Sequence, residues 1–467
     1  IRRPGSGPPP LGRAGREAVV IELSAEQMAA SMGAEIVSRG SGGFPARAEI
    51  DSRQIEGGEL FFGLTGGQSD GGEHAAGAIT SGAWGAVVTP SRATELADSG
   101  VFVFASEDPL LSLQILARAW RRELGATVIG ITGSVGKTSV KDITRAVLPG
   151  KVHASAENFN TEIGLPLTIL EAPAGTETLV LEMAMRGAGQ IAELAMIAEP
   201  DIGVITNVGP VHVELLGSIE AVAAAKAELI KGLKPGGAMI VPVEAGYLEP
   251  HLEGVPGLIR FGEDGDVRVV EIVVSEGLTR SRIATLQGEQ DFEFPFAEPH
   301  NILNAQAAIA AGVAAGFTPA ELASRTGSIA FSRFRNEHID LGDRGLIIND
   351  CYNANPLSMR AALEYLSQLD RERKIAVLGL MAELGPDEVR FHEEIGQLAR
   401  ELGIEVISVG DLARSYGPDL KAGDPDEAAR LLEERLGPDV AVLVKGSRAA
   451  GLERVAELIT TAEGSAA

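Results

Sequence analysis

Residues 130–139 read Gly-Ile-Thr-Gly-Ser-Val-Gly-Lys-Thr-Ser. Glycines at 133 and 136 let the backbone turn so that successive N–H groups face one oxyanion. A helix opening at Lys137 adds the positive end of its dipole. Lys137 is placed to neutralise the β- and γ-phosphate oxygens, and the Thr138 hydroxyl to take Mg²⁺. Gly133, Ser134, Val135, Gly136, Lys137, Thr138 and Ser139 are therefore the expected cradle of a nucleoside triphosphate. The strict G-x-x-x-x-G-K spacing is not met, because Ile131 stands where its first glycine belongs. An ordinary strand–turn–helix ending in Lys-Thr is the competing reading. The loop leaves open whether the phosphate goes to water, to a hydroxyl or to a carboxylate.

Further residues could serve such a loop. Glu182 ends the apolar run Thr-Leu-Val-Leu-Glu, and His212 follows the run 201–208. Both fall at strand ends on the predicted edge of the phosphate loop, where parallel sheets bind ligands and where Mg²⁺ finds oxygen donors. Each also has an ordinary reading, a solvated acid and a loop histidine. Lys226 shares a predicted helical face with Val222, Leu229, Ile230 and Leu233, so it interrupts an apolar stripe. Either its amine reaches water along a packed stem, or it is a buried functional lysine of lowered pKa. Asn158 and Asn160 lie in a Gly/Pro-bounded loop, where amides bind a sugar or a carbonyl or hold a turn. Asn301 and Asn304, one helical turn apart, can pair with one base edge. Asn301 fits helix capping equally well. Residues 349–359 gather Asp350, Tyr352, Asn353 and Asn355 after a predicted strand, poor core material and good site material. Cys351 among them reads as a small strand residue. Lys445 and Arg448 flank a glycine after another strand and suit a carboxylate or phosphate.

Short apolar runs must position these groups. Runs at 58–67, 84–90 and 100–106 read as buried strands. Residues 108–124 read as a helix capped by Asp108 with Pro109 at its first position. From 127 onward, apolar runs at 178–184, 201–209 and 236–243 alternate with helical stretches, the signature of a mostly parallel sheet covered on both faces. Residues 266–276 and 291–296 read as a small antiparallel insertion, and 301–316 as an Ala-rich closing helix. The runs at 345–350, 374–380, 404–410 and 440–447 give a second α/β pattern.

The chain's 467 residues fit about three domains at roughly 150 residues each. The expected boundaries are a disordered tail at 1–17, then domains at 18–106, 107–316 and 317–467. A net charge of −25 argues against nucleic acid as the main partner. One cysteine suits a reducing cytosol, no apolar run reaches the ~18 residues of a membrane span, and the Pro/Gly/Arg-rich start does not read as a signal peptide. A cytoplasmic protein without membrane insertion is expected.

The segments TGSVGKTS, NFNTEIGLP, LEMAMRGAGQI, TNVGPVH, AKAEL, HNILNA, YNANP and VLVKGSR together resemble the Mur ligases in order and spacing, over roughly residues 20–460. YNANP with KGSR is similar to the branch that adds D-alanyl-D-alanine. DSRQIEGGELFFGLTGGQSDGG (51–72) resembles that branch's N-terminal segment. The resemblance implies an α/β protein of three domains: an N-terminal α/β uridine-nucleotide domain, a central P-loop parallel-sheet ATPase domain and a C-terminal Rossmann-like α/β domain. It implies an ATP-dependent amide ligase joining UDP-N-acetylmuramoyl-tripeptide to D-alanyl-D-alanine through an acyl phosphate, with Mg²⁺. A monomer is expected. By the same resemblance Lys137, His212 and Lys226 are the catalytic candidates. Thr138, Glu182, His212 and Lys226, the last as a carbamate, match metal positions. Asn301, Asn304, Arg333 and Asp350 match ATP contacts. Asp51, Ser52 and Arg53 match the uridine-nucleotide end. Asn158, Asn160, Arg186, Tyr352, Asn353, Asn355, Lys445 and Arg448 complete the expected substrate contacts. Another ligase of the Mur/folylpolyglutamate synthase superfamily, or a P-loop kinase or NTPase, is the alternative. The chain departs from the family pattern at Asn349-Asp350, at Leu380 and at 241–247.

Overall fold

The helix Pro109–Leu124 forms as its sequence prescribes. The Asp108 carboxylate accepts from the N–H groups of Leu110 and Leu111, Pro109 supplies the fixed first φ, and Gly125 ends the helix at φ +63°. Leu113, Leu116 and Trp120 form its buried stripe. In the computed structural model, residues 21–67, 70–156, 158–211, 213–275 and 277–461 are described. The expected tail at 1–17 lies outside them.

Two units divide the chain. The first comprises residues up to Ala126 together with Pro166–Glu177. Its strands are β1 (Glu35–Ser38), β2 (Ala48–Glu49), β3 (Leu60–Phe62), β4 (Gly85–Val88) and β5 (Phe102–Ala105). They stand in the order β1-β5-β4-β3-β2, with β1 antiparallel and the rest parallel. Ile55, Phe61, Ala86, Val88 and Val103 pack with helix Ala75–Thr80 on one face.

The second unit holds three sheets. The strands β6 (Thr127–Thr132), β7 (Val152–Ala154), β8 (Thr178–Glu182), β9 (Ile202–Ile205), β10 (Ala238–Pro242) and β11 (Leu258–Phe261) form a wholly parallel sheet, ordered β11-β10-β9-β6-β8-β7. β8 and β9 are buried along their whole length, which explains their continuous apolar runs. Helix Lys137–Val147 packs on helix Pro299–Ala314 in one core through Val140, Ile143 and Val147 against Ile302, Ala305 and Ile309. Each such buried valine or isoleucine contributes about 1.5–3 kcal/mol. The packing sets the N-terminus of the second helix beside the phosphate loop.

The small insertion has three strands: β12 (Arg268–Ser275), β13 (Leu278–Thr285) and β14 (Gly288–Phe294), all antiparallel. β13 (LTRSRIAT) is the strand the apolar runs did not reveal, since it alternates arginines with buried residues. The last sheet comprises β15 (Glu337–Asp340), β16 (Leu346–Asn349), β17 (Arg373–Leu378), β18 (Glu405–Val409), β19 (Leu420–Ala422) and β20 (Val440–Lys445), ordered β15-β16-β20-β17-β18-β19. All its pairs are parallel except β15 with β16. β20 is buried over all six residues and lies between β16 and β17, so its C-terminal Lys445 is fixed at the centre of that sheet edge. Among the described residues, no helix is long and apolar enough to cross a membrane.

Candidate functional site

The end of β6 turns at Gly133 and Gly136 into helix Lys137–Val147. Gly136 has φ +84° and precedes the helix, a conformation that favours glycine. A Cβ on Gly133 would stand 1.9 Å from Thr206 Oγ1, so β9's end forbids a side chain there. The loop is braced by a residue the sequence reading missed. Asn207 Oδ1 accepts from the N–H groups of Ser134 (3.1 Å) and Val135 (2.9 Å), two donors expected to face phosphate. Ser134 Oγ donates to Gly209 O and accepts from its N–H. Ser139 follows in the first helical turn, half-buried.

Lys137 Nζ donates to Gly133 O at 2.9 Å. Burial pushes its pKa down, the Glu182 carboxylate pushes it up, and Arg335 pushes it down. Glu182, 3% exposed at the end of β8, accepts from Thr138 Oγ1 (2.9 Å) and from Asn160 Nδ2 (2.9 Å). A buried carboxylate with no ion-pair partner among the described residues, touching a hydroxyl, offers hard oxygen donors. Among the described residues no cluster of three or more His, Cys, Asp or Glu could hold a metal. The donors therefore fit a cation that keeps water and phosphate oxygens in most of its shell, as Mg²⁺ does. His212 lies outside the described residues.

Lys226 is 1% exposed in helix Ile219–Lys231. The buried face is Val222, Ala223, Ala225, Lys226, Ala227 and Leu229. Ile230 and Leu233 are only half-buried, so the stripe is rotated from the expected one because three alanines, Ala223, Ala225 and Ala227, take the core side. Among the described residues the Lys226 amine makes no hydrogen bond and no ion pair. Burial, with Lys137 nearby, holds its pKa well below a lysine's usual range.

A second arginine, not the expected one, reaches the loop. Arg333 is exposed and lies over the Phe334 ring at 4.8 Å. Arg335 lies over the Tyr352 ring at 4.2 Å, and its Nη2 stands 3.4 Å from Thr138 Oγ1. Its Nε is buried and unpartnered among the described residues. Phe334 and Asn336, on either side, both have left-handed φ (61° and 48°), which turns Arg335 inward between them. One residue earlier in this segment, Ser332 is pinned to the phosphate-loop helix: its N–H and Oγ both donate to Asp142, which pairs with buried Lys141. Nothing in the spacing of two arginines around a phenylalanine distinguishes them; only the backbone does.

The remaining candidates fall into three groups. Asp350 and Lys445 meet at 2.5 Å, and the Lys445 amine also donates to the carbonyls of Asp350 and Asn353. Lys445, 1% exposed, thus holds the 350–353 loop rather than facing solvent. Asn353 Oδ1 accepts from the Ala354 N–H, and Asn355 caps helix Pro356–Gln368 in a capping box with Ser358. Arg448 pairs with Glu453 and lies over the Phe334 ring at 5.3 Å. Cys351 lies two residues past β16 and not in the expected strand, and burial pushes its thiol up to about 12, which does not suit a nucleophile. Asn158 is exposed in a turn, and Arg186 is exposed, 3.5 Å from Glu383. Asn301 does not cap its helix, because Glu298 takes that position. Asn301 is 1% exposed, while Asn304 is half-buried beside Gly136. In the first unit, Asp51 accepts from the Arg53 N–H and binds its guanidinium through both oxygens, while Ser52 opens the short turn between them. Arg53 holds the Asp51 carboxyl below its usual range.

A parallel sheet carrying a phosphate loop, with the segment that leads into a second, mostly parallel sheet sending an arginine to it, defines a nucleotide-dependent α/β protein of the phosphate-transferring kind. The Mur ligase middle domain matches residues 131–312, and the glutamate ligase domain of Mur ligases matches residues 334–448. The UDP-N-acetylmuramoyl-tripeptide–D-alanyl-D-alanine ligase of Bacillus subtilis is 37% identical over 420 residues, covering 87% of this chain and 91% of that protein. Crystal structure I of MurF from Acinetobacter baumannii superposes with a TM-score of 0.84 at 28% identity, covering 93% of this chain and 98% of that one. MurF ligase from Thermotoga maritima, solved in complex with ADP, superposes with a TM-score of 0.76 at 30% identity, covering 91% and 97%. The chain belongs to the Mur ligase family, and within it to the branch of UDP-N-acetylmuramoyl-tripeptide–D-alanyl-D-alanine ligases.

Proposed function

We propose that this chain joins D-alanyl-D-alanine to UDP-N-acetylmuramoyl-tripeptide in an ATP-driven reaction of cytoplasmic peptidoglycan-precursor synthesis. The observation that carries the reading is the meeting of Lys137 and Arg335 around Thr138 and Glu182, with buried Lys226 close enough to feel the Lys137 charge. Neither Lys137 nor Arg335 forms an ion pair among the described residues, so the pocket has positive charge to offer incoming anions. Such a pocket suits the hard part of the chemistry, where a carboxylate must approach a triphosphate. The tripeptide's terminal carboxylate attacks the γ-phosphorus, the bond to the β-phosphate oxygen breaks, and ADP leaves. The amine of the dipeptide then attacks the acyl carbon, the bond to the phosphate oxygen breaks, and the amine gives up its proton. Lys137 leaves the Gly133 carbonyl to follow the γ-phosphate, and the Arg335 Nε finds its acceptor on the same group. Mg²⁺, when bound through Thr138 and Glu182, screens the phosphate oxygens. Asn304 faces the nucleobase, and Asp350, held by Lys445, faces the ribose side. Asp51, Ser52 and Arg53 serve the uridine nucleotide. The loops after β16 and β20, which carry Tyr352 and Arg448, serve the dipeptide and exclude water, which would hydrolyse the acyl phosphate.

ADP release measured with the muramyl tripeptide alone, the dipeptide alone and both together tests the reading. Full release is expected only with both, together with a product bearing one new amide. Equal release without either acceptor would make the chain a plain NTPase. The arginine assignment has its own test. Arg335→Ala is expected to raise the KM for ATP or lower kcat by about 10-fold or more, the scale of one charged donor to a phosphate, while Arg333→Ala stays within about 2-fold. Steady-state ATP titrations of the two variants decide between them.

A further inference from the structure

Glu298 sits at the N-cap of helix Pro299–Ala314, 1% exposed. Its carboxylate is bound from two sides. Along the helix, Asn301 Nδ2 donates to Glu298 Oε2 at 3.2 Å, and Asn304 Nδ2 donates to Asn301 Oδ1 at 3.2 Å. From the third sheet, His338 Nε2 lies 3.1 Å from Glu298 Oε1. Burial alone would raise the carboxyl's pKa, but the hydrogen bonds of His338 and Asn336 outweigh it and bring it to about 2. The group is therefore ionised at any working pH, and an ionised carboxylate only accepts.

An acceptor-only group at the head of the chain fixes the direction of each bond behind it. Asn301 must turn its amino group to Glu298, which leaves its carbonyl for Asn304. Asn304 must turn its own amino group to that carbonyl, which sets its Oδ1 on the far side. Asn304 Oδ1 does lie there, against the phosphate loop: a Cβ on Gly136 would stand 2.6 Å from it. Asn301 has almost no exposed surface, so the polarity that a ligand meets is that of half-buried Asn304. Without the carboxylate, both amides could rotate by half a turn and exchange donor for acceptor.

We propose that Glu298 is a specificity-determining positioning residue, which sets the amide polarity of Asn304 through Asn301 and so selects adenine over guanine. The inference rests on the reading that Asn304 faces the base. Adenine shows an amino donor beside the N7 acceptor, which one amide of fixed polarity meets with two bonds. Guanine shows O6 and N7, both acceptors, and sets a carbonyl against the Asn304 carbonyl.

Glu298→Gln keeps the shape of the side chain, but its amide can offer Asn301 either an acceptor or a donor. The measurement is the ratio of kcat/KM for ATP to that for GTP in the full chain, with both acceptor substrates present. The ratio is expected to fall about 10-fold in Glu298→Gln and to hold in Glu298→Asp, which remains acceptor-only. A role confined to stability would lower Tm and leave the ratio where it was, and that result overturns the proposal. Should Glu298→Gln not fold, Asn301→Leu, which cuts the relay behind an intact Glu298, is read the same way. Asn304→Ala separates the two layers. If it leaves the ratio unchanged, the base-facing reading fails and the proposal with it. If it collapses the ratio while Glu298→Gln does not, the Glu298 inference alone is overturned.

Discussion

Lys137→Ala is expected to lower turnover by at least ~100-fold, the scale of losing one donor aimed at charge that develops in the transition state. The reasoning begins with where the amine rests. It donates to the Gly133 carbonyl at 2.9 Å, so it already lies over the loop that would receive the phosphates. Only Glu182 raises its pKa, while burial and Arg335 both lower it, so the charged amine is held against two opposing influences. A triphosphate relieves both, because its own charge favours the ammonium form. Alanine at the first position of helix Lys137–Val147 keeps a good helix former there, and the lost hydrogen bond to Gly133 O is offset by relief of the amine's burial, so Tm is expected to move little. Single-turnover measurement of ADP formation, alongside an ATP-binding titration, separates lost chemistry from lost affinity. Turnover within about 3-fold of the parent chain would remove Lys137 from the phosphoryl transfer step.

How much of this was legible in the sequence depends on whether the signal was local. The Asp108–Pro109 cap was legible because it is decided by residues that touch one another along the chain. The buried strands β8, β9 and β20 were legible because both faces are covered and every residue is apolar or ends the run. β13 was not, since its arginines 280 and 282 pair across the small sheet with Glu293 and Asp291 and so break the apolar run. At the site, the phosphate loop, Glu182 and Lys226 stood out as residues at odds with their surroundings. Asn207 and Arg335 did not. Asn207 is one amide among many in loops, and its bracing of Ser134 and Val135 spans more than seventy residues of sequence. Arg335 and Arg333 look alike until the backbone turns left-handed at 334 and 336. The same limit applies to Lys445, whose partners Asp350 and Asn353 lie more than ninety residues away and use the donors that a ligand was expected to meet.

Wild-type protein is expected to carry a carbamate on Lys226, and Lys226→Arg to lose at least ~100-fold of its activity, the scale of a lost group at a reacting phosphate. The argument is one of charge. A cationic lysine buried without an ion pair is costly, and Lys137 nearby makes it costlier. Both influences favour the neutral amine, which is also the form that attacks carbon dioxide. The amine nitrogen bonds the carbon, a proton leaves, and a cation becomes an anion bearing two oxygens. That change turns the repulsion from Lys137 into attraction and adds hard oxygen donors beside Thr138 and Glu182, the kind of ligand Mg²⁺ takes. Arginine forms no such adduct and stays cationic, so the variant removes the carbamate and leaves a buried positive charge in its place. Enzyme prepared free of bicarbonate is expected to be slow and to recover when bicarbonate is restored. With ¹³C-bicarbonate, a carbamate carbonyl resonance is expected in wild-type protein and not in Lys226→Arg. Equal activity with and without bicarbonate, together with no carbamate signal, would leave Lys226 as a neutral amine in the site and would require a different account of its burial.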